Sequence, residues 1–264
     1  MPSSHPPSKS KLELLDNHQR CWIWGKNTVL ETLRAGHWKI WELHYDHSLP
    51  ASVIQELTIL AFKLKTMLVK SDSSSLEKQC KSSEHQGLIA KMAPFPYASF
   101  DDLTTLIAAK QSCSILLLDR IQDPFNFGGI IRSAAGLGTD AILIGQNAQS
   151  GVNSLTARAS SGIVNHVPIV RVSDLRESLT KLKSLQLSIY ATSGHQDAAL
   201  LNTISFSPRH IIMIGSEAHG LSDDLISQAH AIVKIPLSST VESLNAAVAA
   251  GIICYEAQRQ RGFA

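Results

Sequence analysis

Short aliphatic runs punctuate the second half of the chain, at Ile115–Leu118, Ala141–Ile144, Val167–Val170, Leu187–Ala191, Ile211–Ile214 and Ile232–Ile235. Each run is continuous rather than alternating, and rich in leucine or β-branched residues. That pattern predicts strands of a parallel sheet covered on both faces. Helical stretches are predicted between them, over about 128–137, 155–161, 174–185, 223–230 and 243–259. The last contains Ala246–Tyr255, a run too apolar to face solvent on any side, which predicts a buried support.

The first half reads differently. A helix is predicted over 27–35, with Val29, Leu30 and Leu33 on one side. A strand over 40–45, a helix over 52–64, a strand over 66–70 and a last short strand over 87–91 follow, which makes a small α/β domain. Pro94 and Pro96 cannot donate to a ladder and push the residues before them to extended conformation. The expected organisation is therefore a Ser/Pro-rich flexible tail at 1–20, a domain at 21–92, a linker at 93–112 and a larger α/β domain at 113–264.

In parallel α/β sheets, ligands sit beyond the carboxyl ends of the strands. Three turns there are polar or glycine-rich. The first follows Leu118 and contains Asp123, Pro124, Asn126, Gly128, Gly129 and Arg132; Asn126 occupies a predicted helix-cap position. The second follows Ile214 and contains Gly215, Glu217 and Gly220. Its glycine spacing resembles a phosphate loop, but Leu221-Ser222 stands where a lysine is required, and no GxGxxG follows any strand. A ligand without phosphates fits better. Glu217 would be costly to bury unpaired, which predicts a cationic or hydroxyl partner. The third runs from Ile235 through Ser243, Leu244 and Asn245. Ser239 and Glu242 match a capping box; Ser243 and Asn245 are left free for another task. Each turn alone also fits an ordinary capped helix.

Charge narrows the partners little. There are 13 Lys/Arg against 11 Asp/Glu up to residue 110 and 11 against 11 beyond it, a net charge of +2. This is no electrostatic footprint for nucleic acid. The four cysteines are scattered, with no CxxC pair, which predicts a reduced cytoplasmic protein. No apolar run reaches the ~20 residues of a membrane span, and His37, His44, Asp46 and His47 match no metal-ligand spacing.

Together and in order, the three turns resemble the signature motifs of the SpoU (TrmH-like) family of RNA ribose 2′-O-methyltransferases, within the SPOUT superfamily. The matching residues are Asp123-Pro-Phe-Asn126-Phe-Gly128 with Arg132, Gly215-Ser-Glu217 with Gly220, and Ile235-Pro with Glu242-Ser-Leu-Asn245. The first domain, from Gly25 to Gly87, is similar to that family's ribosomal-protein-like RNA-binding domain. One departure is Leu237-Ser-Ser239, where the family usually has Met-x-Gly.

The resemblance implies an α/β fold with a C-terminal trefoil knot, and a homodimer. It also implies S-adenosyl-L-methionine as cofactor, held by Gly215, Ile235 and Leu244. Asn126, Arg132, Glu217, Ser243 and Asn245 match the family's catalytic positions. The implied substrate is a guanosine of large-subunit ribosomal RNA (rRNA). A transfer-RNA enzyme of the same family, a non-catalytic RNA-binding module and a nicotinamide-dependent enzyme are the alternatives, the last disfavoured by the missing GxGxxG.

Overall fold

A computed structural model of the chain describes residues 22–194 and 197–262; the expected tail and Cys21 lie outside the described residues. The chain divides into two compact units, with the boundary between Phe95 and Pro96.

The first unit runs β1 (Trp22–Trp24), α1 (Lys26–Ala35), β2 (Ile40–Asp46), α2 (Ala51–Leu64), β3 (Met67–Ser71), α3 (Ser73–Cys80) and β4 (Leu88–Met92). Its sheet order is β1-β4-β2-β3, with only β2 and β3 parallel. β1 and α3 were not expected. α3 is serine-rich and forms because Asp72 caps it, accepting from the Ser75 amide, while Leu76 and Cys80 on one face are buried. The histidines and Asp46 have local partners: His44 Nε2 lies 3.2 Å from Glu42, and Asp46 accepts from the Ser48 amide. Among the described residues, no three His, Cys, Asp or Glu side chains gather as a metal site.

The second unit runs α4 (Phe100–Ala108), β5 (Cys113–Asp119), α5 (Pro124–Gly136), β6 (Ala141–Gly145), α6 (Ser154–Ala159), β7 (Ile169–Val172), α7 (Leu175–Lys183), β8 (Ser188–Thr192), β9 (Ala199–Leu200), β10 (Arg209–Gly215), α8 (Asp223–Ile226), β11 (Ala231–Lys234) and α9 (Ala246–Arg261). The strands form one sheet in the order β7-β6-β5-β10-β8-β11-β9, every pairing parallel. Alternation along the strands splits the core. Ile115, Leu117, Leu143, Ile211 and Met213 face one cluster with Leu179, Leu182 and Leu225, so their neighbours in sequence face the layer of α5, α6 and α9. β10 fills the slot between β5 and β8, strands already laid down on either side of it.

Two expectations are corrected. The stretch 93–112 is not a plain linker: Ser99 and Asp102 form a capping box for α4, and its Leu103 and Ile107 join the core. α9 is not buried all round. Ala246, Ala250, Ile253, Cys254 and Ala257 are buried, but Val248, Ile252 and Tyr255 are 51%, 37% and 51% exposed on the opposite stripe. Apolar composition alone could not separate these two faces. No helix of the described residues is long and apolar enough to cross a membrane.

Candidate active site

β5 and β10 are in register, with Asp119 opposite Gly215, so their turns leave the sheet side by side. Asp119 is buried at the strand end. Its Oδ2 accepts from the Ser222 amide at 2.9 Å and pairs with Arg120 at 3.1 Å. Arg120 Nη2 in turn donates to the Gly220 carbonyl at 3.2 Å. The 216–222 turn is thereby pinned to the end of β5. Gly215 is required by contact: a Cβ there would lie 2.0 Å from the Gly220 carbonyl carbon and 2.2 Å from the Leu221 nitrogen.

Asn126 is not a helix cap. α5 begins earlier than predicted because Asp123 caps it, accepting from the Phe125 amide at 3.1 Å, and Pro124 fits the first turn. Asn126 is thus inside the helix and turns toward the other two loops. Its Oδ1 accepts from Asn245 Nδ2 at 2.8 Å, and its Nδ2 donates to Glu217 Oε1 at 3.2 Å. Asn245 Nδ2 also donates to Glu217 Oε1 at 2.6 Å, and the Ala246 amide does so at 3.0 Å. One carboxylate oxygen gathers donors from two other turns. The partners of Glu217 are therefore amide N–H groups, rather than the cation or hydroxyl expected, and the side chain sits at an exposed residue.

The cap of α9 is Asn245, whose Oδ1 accepts from the Ala247 and Val248 amides at 3.0 and 3.3 Å. Ser239 and Glu242, the expected capping box, lie in the exposed loop before the helix. The chain through 235–244 is not helical, so their spacing has no helix to cap.

Arg132 sits about two turns along α5 and does not join the cluster. Its Nη1 donates to Ser161 Oγ at 3.1 Å. Gly128 makes this possible, since a Cβ there would lie 2.5 Å from the Ala159 Cβ: only glycine lets α6 approach so closely. Ser243 is exposed and shares in none of these bonds; Ile235 and Leu244 are half-buried in the same loop. Asp119, Arg120 and Ser161 carry roles the sequence did not signal. Asp119 also borders a cavity of ≈ 220 Å³ with Asn147, Asp174, Arg176 and Asp224, whose lining includes none of the predicted site residues.

All three turns fall within residues 114–255, which match the family model of the SpoU rRNA methylases. The chain belongs to the SpoU methylase family. A second model, for the substrate-binding domain of RNA 2′-O ribose methyltransferases, matches residues 22–98 of this SpoU methylase. It is 30% identical over 246 residues to the putative TrmH family tRNA/rRNA methyltransferase YacO of Bacillus subtilis, covering 93% of this chain and 98% of that protein. Among solved structures it is similar to the SpoU methyltransferase AviRb of Streptomyces viridochromogenes in complex with the cofactor AdoMet. That match has a TM-score of 0.75 and 26% identity over 91% of this chain and 90% of that one. An AdoMet-bound rRNA methyltransferase from Sinorhizobium meliloti gives 0.76 and 25%, over 90% and 86%. The coarse chemistry of this SpoU methylase is thus methyl transfer from S-adenosylmethionine to an RNA ribose 2′-hydroxyl.

Proposed function

We propose that this SpoU methylase acts, as a cytoplasmic homodimer, on a guanosine of large-subunit rRNA. The observation that carries the reading is the Asn126–Glu217–Asn245 cluster, which ties the three motif turns into one site. The family is that of the SpoU rRNA methylases, and the Sinorhizobium neighbour is an rRNA methyltransferase. The Bacillus relative's name keeps tRNA open as the second reading.

The donor set fits the cofactor. A carboxylate and two carboxamides suit a cationic sulfonium and ribose hydroxyls, and the site offers no lysine to a phosphate. S-adenosylmethionine, when bound, supplies an electrophilic methyl group. In this reading Gly215, Ile235 and Leu244 hold it, largely through backbone groups. Arg132 grips the RNA backbone phosphate and polarises the 2′-hydroxyl, whose proton leaves to the phosphate or to water, since a guanidinium keeps its proton and cannot itself act as the base. Asn126 orients the ribose, while Glu217 and Asn245 fix the loop beside it and Ser243, outside their network, meets the cofactor. The exposed Val248, Ile252 and Tyr255 stripe supports a dimer through α9. The insertion of β10 between β5 and β8 supports the trefoil knot. The test is methyl incorporation from labelled S-adenosylmethionine into protein-free large-subunit rRNA and into bulk tRNA. Label in rRNA upholds the proposal; label in tRNA alone replaces it with the second reading.

A further inference from the structure

Phe125 is 56% exposed, a large apolar side chain left in water one residue before Asn126. It is not on a floppy segment. It occupies the first turn of α5, behind Pro124, and its amide is held by the Asp123 cap. The helix period places Phe125, Gly129 and Arg132 on one stripe, at i, i+4 and i+7. Arg132 is also exposed, and Gly129 between them adds no side chain. A Cβ on Gly129 would meet the Ala247 Cβ at 3.2 Å, so the middle of the stripe lies against the first turn of α9, beside its cap Asn245. Phe125 and Arg132 thus present an aromatic ring and a guanidinium on either side of the point where α9 meets α5. About 10 Å of helix axis separates the two, seven residues at 1.5 Å each.

We infer that Phe125 is the platform on which an unpaired base of the substrate RNA stacks while Arg132 holds the adjoining phosphate. The chemistry is complementary at both ends. Every base has a π-face that an exposed ring can cover, and the unpaired nucleotides of structured RNA offer such faces. Stacking on the ring would fix the target strand at the Phe125 end of α5, next to Asn126. The inference rests on the methyltransferase reading and names a positioning residue within it.

The test compares wild type, Phe125→Ala and Phe125→Trp as full-length chains. Protein-free large-subunit rRNA is the probe, with filter binding, steady-state methylation and sedimentation as readouts. Phe125→Ala is expected to weaken rRNA binding and raise KM for RNA by roughly 5- to 150-fold, the range for losing one stacked base. S-adenosylmethionine affinity and the sedimentation coefficient stay unchanged, and Phe125→Trp restores RNA affinity. Wild-type RNA affinity in Phe125→Ala overturns the inference alone. So does dissociation of Phe125→Ala into monomers, which would assign the ring to contact with a second copy. A wild-type protein that neither binds nor methylates rRNA overturns the inference and the rRNA reading together.

Discussion

Asn245 and Glu217, 28 residues apart in sequence, are joined by a 2.6 Å hydrogen bond from Nδ2 to Oε1. The same asparagine caps α9 with its other side-chain atom. The start of the last helix and the turn after β10 therefore move as one piece. Glu217→Ala would remove one acceptor shared by Asn245, the Ala246 amide and Asn126, leaving the direct Asn126–Asn245 bond. Because Glu217 is exposed, the stability cost is modest, roughly 1 kcal/mol. The larger expected loss is in methyl transfer, since the loop carrying Leu244 loses its tether. Urea melts read beside a turnover assay separate the two; unchanged turnover would show that the cluster is only decoration.

Gly215 allows a sharper test. With the Gly220 carbonyl carbon 2.0 Å from the position of a Cβ, Gly215→Ala must displace the turn. A stability loss of about 1–3 kcal/mol is expected from the overpacking. Titration calorimetry with S-adenosylmethionine should show weakened or absent binding. Binding as tight as wild type would mean that the turn's shape does not matter to the cofactor.

Arg132 lies outside the cluster and donates to Ser161. If it grips a phosphate with two donors, lysine cannot replace it. Arg132→Lys should lower kcat on RNA on the order of 10²-fold, the scale for removing a positioned donor, and leave cofactor affinity intact. Near-normal turnover would rule out the two-donor role.

The exposed stripe of α9 predicts its own outcome. Ile252→Glu puts a charge among Val248, Ile252 and Tyr255 without touching the buried face. Sedimentation of the variant should give a monomer where wild type gives a dimer. A variant that stays dimeric would move the interface elsewhere.

A pH effect belongs to the far end of the same helix. Glu256 is held at about 2, below its ordinary 4.5, by hydrogen bonds from Arg259 and Gln260. Its folded value is depressed, so its contribution to stability is full above about 4.5 and fades as pH falls toward about 2. The stability gap between wild type and Glu256→Gln should therefore be full at pH 7, narrow steadily below about pH 4.5 and close only as pH falls through about 2. A gap that stays constant across this window would contradict the assigned cause.

The parallel sheet was legible because strands buried on both faces leave continuous aliphatic runs, and every such run overlaps a strand, with Val167, Leu187 and Ile235 falling just outside. The cap positions were not. Asn126 and Asn245 exchanged roles relative to the prediction: the former lies inside a helix, the latter caps one. A helix start depends on what else can satisfy the first amides, and for α9 that is settled by a side chain also bonded to Glu217, distant in sequence. α4 was hidden behind two prolines, whose effect stops at Ser99, where the capping box begins. The meeting of Asn126, Glu217 and Asn245 was readable only as three separate motifs. Asp119, Arg120 and Ser161 had no local signature, because each acts through a partner at least 29 residues away.

The most direct measurement of the central claim is the chemical position of the transferred methyl. Large-subunit rRNA methylated by the pure protein with labelled S-adenosylmethionine is digested with alkali, which cannot cut beside a 2′-O-methyl ribose. The account predicts label in a single alkali-resistant dinucleotide with guanosine at its 5′ side, entering on the order of 10²-fold more slowly with Arg132→Lys. Label released as mononucleotide, marking a methylated base, would contradict it.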